Sequence, residues 1–200
     1  SNESQRAAWT VDGIMADLST ISLQNIEIKS IDPSLVAISH SGKRQIRNRS
    51  AQRWMISGTY PKTDRDTFDP VWVYALSQKG QFSSFSYIPP IYSNAKGDVS
   101  ACSSAVEVAG STAVTVTMTG TLKAGDYVKF ASHDKVYIVT SDLTGNGELN
   151  IYPALQADTT AAAVTYDSVP FTVAFVSNEQ SFSRGPNDLH DYRIQLVEVI

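Results

Sequence analysis

A single cysteine, Cys102, excludes an internal disulfide framework. Nothing around Cys102 would lower its pKa, so it reads as a plain buried or half-buried thiol. No stretch approaches the ~18 consecutive apolar residues of a membrane span, so membrane insertion is not expected. The opening residues, SNESQRAAWTV, lack the basic and apolar regions of a secretory signal. Charged residues make up only 18% of the chain. There is no P-loop and no G-x-G-x-x-G, and Gly145-Asn146-Gly147 is too short to cradle a phosphate. The three histidines, His40, His133 and His190, share no metal-ligand spacing. Asp188-His190-Asp191 has no G-x-S-x-G elbow to complete a hydrolase triad. No pair of acids is singled out for glycoside hydrolysis. The expectation is a protein without a catalytic centre, cofactor or metal.

What is present suits β structure. The 200 residues are 42% hydrophobic, enough for one large or two small domains. Residues 122–155 read as a meander with its turns written in. Lys123-Ala124-Gly125-Asp126 is a polar turn, followed by the β-prone Tyr127, Val128 and Phe130. His133-Asp134 breaks the run before Val136, Tyr137, Ile138 and Val139. Thr144-Gly145-Asn146-Gly147 is a hairpin signal, and Leu149, Ile151 and Tyr152 then alternate until Pro153. So short a meander must close with further strands into a small barrel or sandwich.

The flanks add strands and one helix. Residues 1–18 read as a short helix or an extended arm around Trp9, Val11, Ile14 and Met15. Residues 19–31 alternate, with Gln24-Asn25 as a bulge or turn, and 35–38 form a short strand. Residues 45–60 read as a long strand or strand pair. Phe68, Val71, Trp72, Ala75 and Leu76 then keep helical spacing. Since proline is tolerated only in a first turn, Pro70 predicts a helix over about 68–79, ended by Lys79-Gly80. Strands are predicted over 81–88, around Val106 and Val108, over 112–118, at Val164 to Tyr166, and in PFTVAFVSN and YRIQLVEVI.

Charge is unevenly placed. Residues 33–92 carry eight Lys or Arg against three Asp, a net of +5, while residues 93–169 come to −4. Lys43, Arg44, Arg47, Arg49 and Arg53 punctuate one extended segment. That segment can be a solvated face or blunted edge strand, a contact for an acidic protein surface, or a face toward DNA passing through a channel. Among the aromatics of 122–166, Tyr127, Tyr137 and Tyr152 are the candidate glycan or partner contacts, with core packing as the alternative.

Several of these residues carry a resemblance. KAGD followed by an aromatic, then HDKVYIVT, then LNIYPAL, resembles the inserted barrel of phage distal tail proteins of the two-domain type. SAQRWMISGTYP, the helix after it and QFSSFSYIPP resemble the tail-tube-like base domain of the same family. The resemblance spans about residues 40–200. It implies a mainly β chain: a β-sandwich base domain with one α-helix, formed by residues 1–91 and 170–200, and an OB-like β-barrel inserted at 92–169. It implies a structural virion protein, assembled in the host cytoplasm, whose homohexameric ring joins the tail tube to the tail-tip or baseplate complex. Its partners would be itself, the tube protein and tip hub proteins, with DNA passing only transiently. A carbohydrate-binding barrel for a host-surface glycan is the alternative function, and a small hydrolase a further one.

Overall fold

The computed structural model describes residue 18 and residues 21–200. The helix or arm expected over 1–18 therefore lies outside the described residues, except for Leu18, which is buried and accepts a 2.6 Å hydrogen bond from the Tyr60 hydroxyl. Strands β1 (Gln24–Ile31), β2 (Ser34–Ile38), β3 (Arg44–Asn48) and β4 (Arg53–Thr59) precede helix α1 (Arg65–Ser77) and β5 (Phe85–Tyr87). The middle of the chain forms β6 (Ala101–Ser104), β7 (Ala113–Thr119), β8 (Thr121–Leu122), β9 (Tyr127–Phe130), β10 (Val136–Val139), β11 (Leu143–Thr144), β12 (Gly147–Tyr152) and β13 (Ala162–Thr165). β14 (Phe171–Phe175), β15 (Phe182–Arg184) and β16 (His190–Glu198) complete it.

These strands sort into two bodies. β1, β4, β16, β14 and β5 lie side by side in one antiparallel sheet, with β15 paired to β16 as its sixth strand. β10, β12, β7, β6, β13 and β9 close into a barrel, which leaves no free edge. The chain is thus mainly β, with one α-helix among the described residues and a closed barrel, as the periodicity and the resemblance implied. The strands of the sheet come from both ends of the chain, and those of the barrel from between. The connecting segments run together: Val169 donates to the Ser93 carbonyl at 3.0 Å, and Ser168 to the Asn94 side chain at 2.9 Å.

Period-2 burial sets the sheet face. Along β16, His190, Tyr192, Ile194, Leu196 and Glu198 are buried, while the residues between them are not. The register sets Leu196 opposite Ile56, and Ile56 opposite Ile28, so the three share this face. α1 lays Phe68, Val71 and Ala75 against it. Fully burying Phe68 or Val71 is worth about 1.5–3 kcal/mol each. The barrel has its own core around Val114, Val116, Leu122, Phe130, Tyr137 and Leu149.

Four local expectations need correction. α1 begins at Arg65, not near Phe68, so Pro70 lies inside it. Phe68 N–H donates to the Asp64 carbonyl and the Thr67 hydroxyl to the Asp64 carboxylate, which holds the first turn. Pro70 is exposed, so the carbonyl it leaves without a donor can meet water. The strand expected over 81–88 shrinks to β5. Lys79 and Gly80 both have positive φ, a 3₁₀ turn follows, and Phe82 swings into solvent. Gly80 is required there, because a Cβ would stand 2.8 Å from the Asn178 backbone. Val106 and Val108 are exposed and outside any strand; β6 precedes them. Finally, Gly145 does make a turn at φ 69°, but the flanking strands do not pair with each other. β11 turns away to β8, and the Asn146 side chain accepts from Met118 N–H at 2.9 Å. The expected bulge at Gln24-Asn25 is present as a register shift between Gln24 and Glu27, with Asn25 at φ 51°.

Candidate assembly surfaces

The basic segment folds into two separate places. β2 and β3 pair in register, Val36 opposite Ile46 and Ile38 opposite Arg44, to make a hairpin. Lys43, Arg44 and Arg47 are exposed along its second half and Arg49 just beyond it. The apolar residues of the hairpin are exposed as well, Ile38 at 71% and Ile46 at 58%. Alternation puts Ile38, Val36, Arg44 and Ile46 on one face and Leu35 and Arg47 on the other. Such a ribbon buries little of its own and is marginally stable unless something covers it. Arg53 is not part of this group. It opens β4 beside the barrel, near enough to Lys135 to disfavour the charge there.

The second place is the junction between sheet and barrel, which no residue pattern had indicated. Lys135, in the turn before β10, and Glu198, at the end of β16, form an ion pair with both side chains at 0% exposure. Lys135 also donates to the Gln52 side-chain oxygen at 2.6 Å. Glu198 accepts from Trp54 N–H at 3.1 Å and from Val136 N–H at 3.0 Å. The indole of Trp54 donates to the Val136 carbonyl at 2.8 Å. Burial pulls Lys135 below its ordinary pKa, and the attraction and hydrogen bond of Glu198 oppose that shift. A charged pair out of water is stable only when its remaining lone pairs and protons are taken up, and here backbone amides and Gln52 do so.

The three tyrosines considered for glycan binding are engaged elsewhere. Tyr127 is buried between Trp54 and Phe171, edge-on to both at 5.5 and 5.6 Å, and so packs with the sheet core. Tyr137 has no exposure. Its hydroxyl bonds His133 Nε2 at 2.7 Å and accepts from Gln156 N–H at 3.0 Å, and burial pushes its pKa up to about 12. Tyr152 is half-buried against the sheet core and donates to Asp32. None of the three presents an open ring as a sugar platform. Tyr127 and Tyr152 pack with the core of the sheet and not with that of the barrel that bears them. Period 2 could have flagged this, since Tyr127 alternates with Val128, which faces the barrel core.

The histidines are dispersed. His40 is exposed in the β2–β3 turn, His133 belongs to the Tyr137 contact, and His190 stacks on Phe68 at 4.9 Å. Among the described residues no three His, Cys, Asp or Glu gather as a metal site. Cys102 is buried, which pushes its thiol up to about 11.

Comparison with curated proteins gives no match. Residues 92–165 match the family model described as distal tail protein pb9, B domain. The matched span holds every strand of the closed barrel. In that barrel the chain is similar to the B domain of a phage distal tail protein, which supports a structural role in a phage tail.

Proposed function

We propose that this chain forms a homohexameric ring that joins the tail tube to the tail-tip complex. The observation that carries the reading is the match of residues 92–165 to a distal tail protein domain that folds here as a closed barrel. In this reading residues 1–91 and 170–200 are the tail-tube-like base that closes the ring, and 92–169 is an inserted OB-like barrel. Partners are further copies of the chain, the tube protein and the hub proteins of the tip. DNA crosses the channel without a lasting contact, and assembly takes place in the host cytoplasm. The role is structural, without turnover. A cyclic ring needs two unlike patches on each subunit. The exposed basic hairpin β2–β3 is the natural candidate for one of them, with Lys43, Arg44, Arg47 and Arg49 steering encounter with an acidic surface.

Native mass spectrometry and negative-stain imaging of the purified chain test this. Six-membered rings are expected, together with recovery of the chain from the tail fraction of purified particles. A chain that stays monomeric at all concentrations and is missing from the particle would refute the proposal.

A further inference from the structure

The hairpin calls for a covering surface, and the same chain carries an unpartnered surface of opposite charge. Along α1, Asp66, Asp69, Val73 and Leu76 recur at three- and four-residue spacing and so share one face. Val73 and Leu76 are exposed, although α1 buries Phe68, Val71 and Ala75 on its other side. Phe82, just beyond the helix, is exposed as well, with the ammonium of Lys79 5.9 Å from its ring centroid. The strip is therefore acidic at its start and apolar toward its end. Residues 64–77 carry three Asp against one Arg, a net of −2. Arg65 pairs with Asp69 only at the surface, 3.1 Å apart, a contact that a better partner can displace.

The hairpin is the counterpart. Residues 33–49 carry four Lys or Arg and no acid, a net of +4. Arg44 and Ile46 follow one another on a face that also holds Ile38 and Val36. Both surfaces leave large apolar side chains in water beside charges of one sign, and the two signs are opposite. Neither is complementary to itself, because a hairpin against a hairpin sets like charges together.

We infer that the β2–β3 hairpin of one copy docks along the outer face of α1 of the next copy, with Arg44 toward Asp66 and Asp69, and Ile46 and Ile38 against Val73 and Leu76. The contact is head-to-tail, since the patch each copy offers differs from the one it receives. Burial of the isoleucines supplies the attraction, and the charges set direction and register. The inference rests on the ring reading and names the two patches that the ring requires.

Mixed cross-linking tests it. Ile46→Cys and Leu76→Cys are made separately in a Cys102→Ala background and treated with a short bismaleimide, alone and mixed. A covalent dimer is expected from the mixture and from neither variant alone. Dimer from Ile46→Cys alone would mean a hairpin-to-hairpin contact and would overturn the inference. Rings by native mass spectrometry that give no cross-link in the mixture would overturn it too, while leaving the ring proposal standing. A monomer under all conditions would refute both. A charge exchange gives a second measurement. Arg44→Glu, or Asp66→Arg with Asp69→Arg, should each raise the concentration needed for assembly roughly tenfold or more, and the two combined should recover most of that loss. Failure of the combined variant to recover, with each variant folded by circular dichroism, would refute the pairing.

Discussion

Replacing Lys135 by Met is the most informative single change in this molecule. The side chain is similar in length, so packing is largely kept while the charge is lost. Glu198 then stays at the junction with two backbone amide donors, from Trp54 and Val136, and no counter-charge. Removing one partner of a buried ion pair costs about 3–5 kcal/mol. For a chain of this size that lowers Tm by about 6–20 °C. Glu198→Gln should cost a similar amount by another route. Lys135 loses its counter-charge, and the single amide oxygen cannot serve both amides on opposite sides of the carboxylate, so an N–H meets an NH₂ group. The double variant Lys135→Met with Glu198→Gln has no buried charge left. Its remaining defects are uncharged, one unsatisfied backbone donor and the Gln52 oxygen that Lys135 no longer serves, each worth about 1–3 kcal/mol at most. The cycle should therefore be strongly non-additive, with the double variant more stable than either single one. Guanidinium unfolding followed by tryptophan fluorescence reads this directly, because Trp54 sits in the junction. Barrel residues Tyr127 and Val136 belong to the sheet core, so the single variants should also separate one unfolding transition into two. A loss below about 1 kcal/mol for Lys135→Met, or additive losses in the double variant, would refute the buried pair as the tie between sheet and barrel.

Three further outcomes follow from other parts of the structure. Burial lowers the pKa of His133 below its ordinary 6.5, so the unfolded chain takes up its proton first; stability should be full above that pH and decline as pH falls below it. Thermal melts across pH 7.5 to pH 5 should show a shallower decline for His133→Asn than for the parent chain. Cys102, with its thiol pushed up to about 11 and its side chain buried, should resist a thiol reagent at pH 8 until the chain unfolds; rapid native labelling would contradict that burial. A Cβ at Gly97 would stand 1.8 Å from the Thr121 carbonyl oxygen, so Gly97→Ala should cost about 2–3 kcal/mol by overpacking the barrel. Gly145→Ala, at φ 69° in open space, should cost only about 1 kcal/mol of backbone strain, and equal losses in urea titrations would show that the close approach at Gly97 is not real.

Local pattern alone determined much of this chain. Alternation marks β14 and β16, and helical spacing marks α1, because burial on one face imposes a period that a short window reveals. The residues of the barrel also carry enough pattern to point to the family whose model residues 92–165 match. Boundaries were less legible. Pro70 argues for a later helix start, but its exposed position makes an interior proline tolerable, and exposure is a tertiary property. The turn at Gly145 was legible from Gly-Asn-Gly, yet its strands take partners farther off in the chain, Leu122 for Leu143 and Val114 for Leu149, and local chemistry does not rank those choices. The junction was invisible in the sequence. Lys135 looks like any turn lysine beside Asp134, and its partners Gln52 and Glu198 lie 83 and 63 residues away. The hairpin shows the same division. Its basic residues could be read directly, but that Arg53 leaves the group, and that Ile38 and Ile46 remain in water beside the rest, depends on which strand each residue joins. Period and composition act over a few residues, whereas a buried charge or an uncovered face is decided by which distant segments arrive beside it.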